Sequence, residues 1–310
     1  MRRILLCDHC PDFFIDELKA RHFEITYAYE VDNDGLKDFD DVYDTILIKS
    51  ALILDEAFFS GFSKIRLVLR PGSGLDNVDV KYCRSHGITV LNSPNGNSNA
   101  VGEHALGLLL MMTNHLYRSI TQVRNHQWIR EPNRGLEIER MYIGVIGVGN
   151  TGSAFCEKLK GFNANILPHD KYNARIDSIG QKSVELEYLF ENADVVSLHL
   201  PLNEETHYYA NDQFFNSFSK PIFFINCSRG RVLETQALLR AVKTGKVRQA
   251  AIDVIETEPF MAGSPEEIEL LDALMQTGKV LITPHIAGWT VEAKKKMFQI
   301  LLDQEAGLSS

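Results

Sequence analysis

Short apolar runs alternate with amphipathic segments along the whole chain. The runs are bounded by polar or turn-forming residues, which is typical of buried β-strands. The segments between them, such as residues 12–21 and 78–86, repeat their apolar positions with the spacing of a helix. Strands and helices in alternation indicate an α/β fold with parallel sheets. The predicted strands are residues 3–7, 24–29, 45–49, 66–70, 88–91, 142–146, 165–167, 195–199, 222–226, 250–253 and 280–283.

A long helical stretch, residues 100–123, separates two series of predicted strands. Six strands with helices between them follow this stretch, as in a dinucleotide-binding sheet. A chain of 310 residues is long enough for about two domains. The pattern therefore predicts two doubly wound parallel-sheet domains, with no low-complexity linker between them.

The composition excludes some classes of function. Hydrophobic residues make up 45% of the chain and charged residues 24%, as in ordinary soluble globular proteins. The formal net charge is -9, so we expect no broad binding of nucleic acid, and an anionic metabolite would need a local cluster of cations. No apolar run approaches the roughly 18–20 residues of a membrane span, so no membrane association is expected.

The five cysteines are scattered and odd in number, which is typical of reduced thiols in a cytoplasmic protein. Cys7 and Cys10 form a Cys-x-x-Cys pair around His9, but no second pair follows. This pair alone gives weak support to a zinc site or a redox role. We therefore predict no metal site.

A glycine-rich motif follows the predicted strand 142–146 and opens a helix. It contains Gly147, Gly149 and Gly152 in the pattern G-x-G-x-x-G. The first glycine of such a motif permits a tight turn, the second lets the backbone approach a diphosphate, and the third lets the helix pack closely. Asp170 lies about 20 positions further on, at the end of the next strand, where a carboxylate binds the ribose hydroxyls of NAD and repels the extra phosphate of NADP. The motif therefore predicts NAD as the cofactor.

Three charged side chains follow the last three predicted strands of the chain, one after each strand. Arg229, Glu258 and His285 each come shortly after one of these strands. The carboxyl ends of parallel strands meet at one edge of a sheet, where ligands bind. The sequence therefore predicts a cation, a carboxylate and an imidazole at the same edge.

These three residue types suit the oxidation of a hydroxy acid. Histidine exchanges protons near neutral pH, so His285 is the predicted acid–base group. Glu258 would orient its ring and favour the protonated form, and Arg229 would hold a carboxylate and polarise a carbonyl. Taken singly, each has a structural alternative: an exposed histidine, a turn before Pro259 and a surface salt bridge.

Several motifs of the chain occur in the order of one known family. They are RPGSGLDNVD at 70–79, NSPNGNSNAVGEHALGLLL at 92–110, GVIGVGNTG at 144–152, HLPLNEET at 199–206, NCSRG at 226–230, DVIETEP at 253–259 and TPHIAGWT at 283–290. The chain thus resembles the D-isomer-specific 2-hydroxyacid dehydrogenases over nearly its whole length. The resemblance implies an NAD-dependent oxidoreductase that transfers a hydride between nicotinamide and a small anionic D-2-hydroxy or 2-oxo acid.

The resemblance also implies a domain layout. Residues 1–99 and 285–310 would form a flavodoxin-like catalytic domain, into which a Rossmann cofactor domain, residues 100–284, is inserted. Members of the family are typically homodimers through the cofactor domain, with the helix near residues 100–120 contributing. A homodimer is therefore the expected assembly.

Roles for individual residues follow from the same resemblance. The family's catalytic arginine, glutamate and histidine match Arg229, Glu258 and His285, in agreement with the chemistry argued above. The implied substrate-binding residues include Ser73 and Gly74, whose backbone amides would hold the substrate carboxylate. Asn97 belongs to the same implied set. The implied cofactor-binding residues are Gly147, Gly149, Asn150, Thr151, Gly152, Asp170, His199, Pro201, Thr206, Cys227, Asp253 and Gly288.

The identity of the acid depends on cations in the first domain. The segment 70–98 is most similar to the D-3-phosphoglycerate dehydrogenase branch of the family. Lys49 and Arg70 end predicted strands and, with Arg229, would supply the cationic cluster that a phosphate requires; the alternative is that they are solvated strand-end charges. The first interpretation predicts 3-phosphoglycerate or 3-phosphohydroxypyruvate as substrate, in serine biosynthesis. The other interpretations are a glyoxylate/hydroxypyruvate or D-lactate-type reductase and, from a different class, an NAD(H)-sensing, corepressor-like binding protein.

Overall fold

The computed structural model describes residues 2–49, 52–172 and 175–308. The chain divides into two compact units. The first unit is Met1–Asn97 with Thr290–Ser310, and the second unit is Ser98–Trp289. The domain boundaries expected from the sequence, after residues 99 and 284, lie two and five residues from these bounds.

The first unit contains a five-stranded parallel sheet with the strand order β2-β1-β3-β4-β5. This is the flavodoxin-like order, in which the chain changes direction across the sheet between β1 and β3. The strands are β1 Arg2–Leu6, β2 Phe23–Tyr27, β3 Thr45–Leu47, β4 Leu67–Arg70 and β5 Thr89–Asn92. The helices are α1 Asp12–Ala20, α2 Glu56–Gly61, α3 Val80–Ser85 and, from the end of the chain, α11 Val291–Leu308.

Helices α1 and α11 pack together against one face of this sheet. The rings of Phe14 and Phe298 meet edge to face, with their centroids 4.8 Å apart. Glu305 of α11 is 2% exposed, and its carboxylate pairs with the guanidinium groups of Arg2 and Arg21. These pairs compensate a buried charge that would otherwise be costly. The last helix is therefore part of the core of the first unit.

The second unit contains a six-stranded parallel sheet with the order β11-β10-β9-β8-β6-β7. The chain changes direction between β6 and β8, so a cofactor crevice is expected at the carboxyl ends of these two strands. The strands are β6 Tyr142–Ile146, β7 Asn165–His169, β8 Val195–Leu198, β9 Ile222–Asn226, β10 Val247–Ile252 and β11 Val280–Ile282. The helices are α4 Ser98–Thr113, α5 Leu116–Arg124, α6 Asn150–Leu159, α7 Leu186–Asn192, α8 Asp212–Ser217, α9 Thr235–Thr244 and α10 Pro265–Gln276.

The segment before α7 makes a short contact with β7. The amide of Val184 donates to the carbonyl of Pro168 at 2.8 Å, and the carbonyl of Val184 lies 2.7 Å from Nδ1 of His169. Helix α7 begins two residues later, so the segment is too short to form a ladder.

The predicted class, α/β with two doubly wound parallel sheets, is confirmed.

The prediction of a single helix over residues 100–123 is wrong. The stretch is divided into α4 and α5 at His115, whose φ of 52° lies in the left-handed region. Nδ1 of His115 lies 2.9 Å from Nε2 of Gln249, which comes from β10. This long-range contact accompanies the break in the helix, and local apolar spacing does not reveal it.

Among the helices in the described part of the chain, none is long and apolar enough to cross a membrane.

Candidate active site

The glycine-rich turn after β6 packs directly against the end of β8. Gly147 has a φ of 88°, and a β-carbon there would lie 2.5 Å from the carbonyl oxygen of His199. A β-carbon on Gly152 would lie 1.9 Å from the carbonyl oxygen of Gly147. Neither position has room for a side chain. These two glycines therefore bring the first turn of α6 close to the point where the sheet changes direction.

The middle glycine of the motif has a different environment. A β-carbon on Gly149 would meet no atom within 4 Å, so packing within the protein does not demand a glycine there. The next residue, Asn150, begins α6, and its Oδ1 atom is buried without a hydrogen-bond partner among the described residues. Thr151 lies in the same first turn of the helix. Open space at a helix N-terminus, where backbone amides can donate hydrogen bonds, fits the diphosphate of a dinucleotide.

Asp170 closes this turn from the end of β7. Its Oδ2 accepts a hydrogen bond from the amide of Val148 at 2.7 Å, and its Oδ1 accepts one from the amide of Tyr172 at 2.9 Å. The neighbouring Lys171 lies with its Nζ 2.9 Å from a carboxylate oxygen of Glu205. The negative charge of Asp170 is thus held beside the glycine turn, while the adjacent lysine has its own carboxylate partner.

His199 is buried at the end of β8. Its Nε2 lies 2.9 Å from Oγ of Ser197, and burial lowers the pKa of its imidazole to about 4. The turn that follows is held by Thr206, whose hydroxyl donates to the carbonyl of Pro201 at 2.6 Å. Cys227, after β9, is also buried, which raises the pKa of its thiol and keeps it protonated. These four predicted cofactor residues line up along the carboxyl ends of adjacent strands.

Asp253 organises the loop after β11. Its carboxylate is 1% exposed and accepts hydrogen bonds from the amides of Ile286 at 2.9 Å and Ala287 at 2.7 Å. It also accepts one from the hydroxyl of Thr283 at 2.5 Å. Nε2 of His104, on α4, lies 3.2 Å from the same hydroxyl. Gly288 is the next residue after Ala287 and is partly buried.

Thr283 and His104 are site residues that the sequence prediction missed. Thr283 opens the motif TPHIAGWT, in which the sequence prediction assigned roles to His285 and Gly288 only. His104 lies far before Asp253 in the sequence, and no spacing rule connects the two. Only the tertiary structure shows that α4 contributes to the support of this loop.

His285 and Glu258 are in direct contact. Nδ1 of His285 lies 2.7 Å from Oε2 of Glu258. The histidine has a φ of 54°, in the left-handed region, and its amide donates to the carbonyl of Asp253 at 2.8 Å. The second oxygen of Glu258 accepts from the amide of Ile255 at 3.2 Å. The carboxylate therefore fixes the ring at Nδ1 and leaves Nε2 as the nitrogen that can exchange a proton with a ligand.

Arg229 begins the turn after β9. Its Nη1 donates to the carbonyl of Ser228 at 2.8 Å, and its own carbonyl accepts from Nδ2 of Asn226 at 3.1 Å. The next residue, Gly230, packs on the loop after β10, because a β-carbon there would lie 1.7 Å from the carbonyl oxygen of Ile255. The structure thus brings His285 and Glu258 into contact and places the turn of Arg229 against the loop that leads to Glu258.

In the first unit, the predicted substrate loop is pinned to the segment after β5. The hydroxyl of Ser73 donates to Oδ1 of Asn97 at 2.9 Å, and its carbonyl accepts from Nδ2 of Asn92 at 2.8 Å. The amide of Gly72 donates to Oγ of Ser93 at 2.9 Å. Two predicted substrate residues, Ser73 and Asn97, are therefore in contact. Gly74 follows in the same partly buried loop.

The two predicted cations of the first unit lie after neighbouring strands. Arg70 ends β4, and its Nη1 would lie 1.8 Å from a β-carbon on Gly72, so the guanidinium occupies the space above that glycine. Lys49 follows β3, and its Nζ lies 2.8 Å from Oδ1 of Asp8. Asp8 follows β1, so this ion pair lies where the sheet changes direction. The sequence prediction missed Asp8, although its place after an apolar run was a usable signal.

Nothing in the described residues groups three or more histidine, cysteine, aspartate or glutamate side chains so as to hold a metal ion. Cys7 and Cys10 are partly buried, and burial, together with the charge of Asp8, raises the pKa of each thiol to about 12. The Sγ of Cys10 donates to the carbonyl of Asp8 at 3.3 Å. Protonated thiols are poor nucleophiles and poor metal ligands, so the Cys-x-x-Cys pair shows no reactive environment.

Comparison with known proteins identifies a family. A family model described as "D-isomer specific 2-hydroxyacid dehydrogenase, NAD binding domain" matches residues 106–287. A D-3-phosphoglycerate dehydrogenase of Synechocystis is 30% identical over 296 residues, which cover 95% of this chain and 52% of that protein. The chain spans about half the length of the phosphoglycerate dehydrogenases it matches, with 52%, 47% and 56% covered in three of them.

A shorter relative and a solved structure match over most of their own lengths. A hydroxypyruvate reductase of Thermotoga maritima is 29% identical over 280 residues, which cover 90% of this chain and 89% of that protein. A D-lactate dehydrogenase of Aquifex aeolicus, solved with NAD and lactic acid, superposes with a TM-score of 0.88 over 99% of this chain and 95% of that one. Its sequence identity is 24%, so this likeness supports the fold alone.

Proposed function

Because the chain belongs to the D-isomer specific 2-hydroxyacid dehydrogenase family, we propose that it is an NAD-dependent dehydrogenase of a small D-2-hydroxy or 2-oxo acid. The observation that carries the proposal is the 2.7 Å contact between His285 and Glu258, one strand away from the turn of Arg229. A fixed imidazole and a guanidinium are the groups that this oxidation requires.

NAD is the cofactor of the family's domain, and the residues present fit it. The open space at Gly149 and the backbone amides at the N-terminus of α6 would hold the diphosphate. Asp170, at the end of β7, would bind the ribose hydroxyls. When bound, the nicotinamide supplies the site that accepts or donates a hydride.

The proposed roles of the protein side chains concern the proton and the charges of the acid. When the hydroxy acid is oxidised, Nε2 of His285 takes the hydroxyl proton, and in the reverse direction it returns a proton to the carbonyl oxygen. The carboxylate of Glu258 stabilises the imidazolium that forms. Arg229 binds the carboxylate of the acid and polarises its carbonyl. In the first unit, binding of a substrate carboxylate by the amides of Ser73 and Gly74 stays a prediction.

For the substrate we favour 3-phosphohydroxypyruvate and its reduced form, 3-phosphoglycerate. Lys49 follows β3 and Arg70 is the last residue of the neighbouring strand β4, so two cations lie at the same edge of the first sheet. A phosphate group needs such a cluster in a protein with a net charge of -9. Relatives named as phosphoglycerate dehydrogenases add support from sequence, and serine biosynthesis would be the corresponding role.

One observation favours a second candidate, the reduction of an unphosphorylated acid such as hydroxypyruvate or glyoxylate. The carboxylate of Asp8 pairs with Lys49 and offsets the charge that a phosphate would use. The relative of similar length is named as a hydroxypyruvate reductase. A neutralised lysine suits a substrate whose only anionic group is its carboxylate.

A substrate panel separates these candidates. We would follow NADH oxidation at fixed pH with 3-phosphohydroxypyruvate, hydroxypyruvate, glyoxylate, pyruvate and 2-oxoglutarate. The variants Lys49→Met and Arg70→Met should lose activity mainly with the phosphorylated acid if the first candidate is right. Equal losses with every acid contradict the phosphate assignment. Turnover of no acid, with NADH still bound, contradicts the dehydrogenase and points to the sensor interpretation.

A homodimer is the proposed assembly, and an exposed apolar face of the second unit supports it. Helix α5 has no buried residue, and its apolar side chains Leu116, Tyr117, Ile120 and Val123 are between 43% and 62% exposed. Trp128, shortly after the helix, is 83% exposed. Exposed apolar and aromatic side chains on one element are typical of a protein interface. We assign its occupant as a second copy of this chain.

Light scattering coupled to size-exclusion chromatography tests this assembly. The protein should elute with the mass of two chains, each of 35.0 kDa, and Ile120→Glu should give a monomer. Gln122→Glu, which places the same charge on the other side of α5 and keeps the acceptor for Nδ2 of Asn133, is the matched control and should remain a dimer. A monomeric parent protein overturns the proposal.

A further inference from the structure

Tyr208 joins the two loops that follow β9 and β10. Its backbone amide donates to the carbonyl of Arg231 at 2.8 Å, in the turn directly after Arg229. Its phenol donates to Oε2 of Glu256 at 2.6 Å, in the loop that leads to Glu258. One residue, from the segment between β8 and α8, thus holds the backbone of the first loop and a side chain of the second.

The backbone of Tyr208 adopts a conformation that disfavours its side chain. Its φ is 51°, in the left-handed region that glycine or asparagine usually occupies. A tyrosine persists there only when its surroundings fix it, and such positions cluster at functional sites. Its ring lies beside that of His207, with the centroids 4.1 Å apart, and its hydroxyl bonds to Glu256.

The phenol is a permanent donor. The hydrogen bond to Glu256, followed by burial, raises the pKa of Tyr208 to about 12. The group therefore stays protonated throughout the pH range in which a dehydrogenase is assayed. The contact is present whenever the loop is in this conformation.

Glu256 connects Tyr208 to the rest of the loop. Its Oε1 accepts from the amide of Thr235 at 2.8 Å, at the N-terminus of α9, where a carboxylate is favoured. The next residue, Thr257, donates its hydroxyl proton to Oε1 of Glu267 at 2.9 Å, within the capping box of α10. Two successive side chains thus fix the loop immediately before Glu258.

Backbone contacts of Ile255 connect this fixed loop to the turn of Arg229 and to Glu258. Gly230 packs against the carbonyl oxygen of Ile255, where a β-carbon would lie at 1.7 Å. The amide of Ile255 donates to Oε1 of Glu258 at 3.2 Å. A shift of residues 255 and 256 therefore moves both the turn of Arg229 and the carboxylate that holds His285.

We propose that Tyr208 and Glu256 are positioning residues, which set the placement of Glu258 on His285 and of the Arg229 turn beside them. Neither residue is assigned a contact with substrate or cofactor. The inference rests on the proposed dehydrogenase function, because it concerns the geometry of that catalytic group. Loss of the phenol should loosen the pair while leaving the cofactor residues after β6 and β7 in place.

The first test is Tyr208→Phe, which removes one hydroxyl and keeps the ring. We expect kcat for reduction of the best oxo acid to fall about tenfold, the usual scale for one hydrogen bond to a charged group. The KM for NADH should stay within about twofold of the parent value. Tyr209→Phe is the matched control, since it removes the same hydroxyl from the adjacent residue, and it should leave kcat within about twofold.

A second readout does not depend on turnover. In protein labelled with ¹⁵N-histidine, the Nδ1 resonance of His285, assigned by its absence in His285→Gln, reports the contact with Glu258. We expect this resonance to shift in Tyr208→Phe and to stay unchanged in Tyr209→Phe. An unchanged resonance in Tyr208→Phe overturns the inference. A shifted resonance in a protein whose parent reduces no oxo acid instead supports the positioning and contradicts the proposed activity.

Glu256→Gln keeps the test valid if Tyr208→Phe does not fold. It preserves the shape of the side chain and weakens the bond from the phenol, so it should reduce kcat and shift the same resonance. When both variants fold, their effects should be less than additive, because they remove one interaction. Additive losses of kcat overturn the assignment of Tyr208 and Glu256 as a connected pair.

Discussion

Nδ1 of His285 lies 2.7 Å from Oε2 of Glu258, although the two residues follow different strands of the sheet. The contact predicts an order of effects. His285→Ala removes the acid–base group and should reduce turnover by roughly 10²–10⁴. Glu258→Gln removes the charge that stabilises the imidazolium, a loss of about 1.5–3 kcal/mol, and should reduce turnover by about 10- to 100-fold.

Steady-state kinetics and fluorescence titration with NADH check this order. Both variants should bind NADH like the parent protein. His86→Ala, at an exposed position of the first unit, serves as the control and should keep full activity. A larger loss from Glu258→Gln than from His285→Ala contradicts the assigned roles.

We expect a substitution at Gly149 to weaken cofactor binding without changing the stability of the protein. A methyl group there meets no protein atom within 4 Å, so Gly149→Ala should leave the urea midpoint unchanged. It should weaken NADH binding by about tenfold, or about 1.4 kcal/mol, because it fills the space of the diphosphate. Gly161→Ala, at another open position, should change neither property. A loss of stability without a loss of NADH affinity contradicts the assigned diphosphate site.

We expect the charges of Asp170 and Glu205 to determine the preference for NADH over NADPH. Asp170→Asn removes the charge beside the glycine turn and should lower the NADH/NADPH ratio of kcat/KM by about 10- to 100-fold. Glu205→Gln should lower the ratio by a smaller factor, because it releases Lys171 from its 2.9 Å pair. Glu204→Gln, one residue away, is the matched control. An unchanged ratio in Asp170→Asn places the ribose elsewhere.

His199 predicts a loss of stability in mild acid. Its pKa is lowered from 6.5 to about 4 by burial, so below pH 6.5 the unfolded chain binds a proton that the folded chain does not. Stability from this group is therefore full above about pH 6.5 and is lost as the pH falls towards 4, with about 2 kcal/mol lost at pH 5. Urea unfolding at pH 7 and pH 5 measures it. The difference should shrink in His199→Gln and persist in His126→Gln, which changes an exposed histidine.

The sheets were predictable because their strands are local patterns. The apolar runs at residues 142–146 and 222–226 coincide with β6 and β9 at both ends. Burial of consecutive side chains in a parallel sheet leaves this mark in the sequence. The helical break at His115 was not predictable from local patterns, because the side chain of His115 contacts Gln249, which lies 134 residues away in the sequence.

Parts of the site were predictable for a different reason. Strand ends of a parallel sheet share an edge, so Glu258 was predicted to partner His285, and the two are in contact. Their catalytic roles stay predictions. The ion pair of Asp8 with Lys49 and the bond of Tyr208 to Glu256 depend on which side chains face each other across the folded chain. No rule of spacing supplies that information.

The packing of α11 against α1 determines when the first unit can fold during translation. Phe14, Arg2 and Arg21 gain their partners Phe298 and Glu305 only when the ribosome adds α11, about 300 residues later. The second unit, Ser98–Trp289, is continuous and can fold while it is still being synthesised. The apolar core between β1 and β5 therefore stays incomplete until α11 has been synthesised.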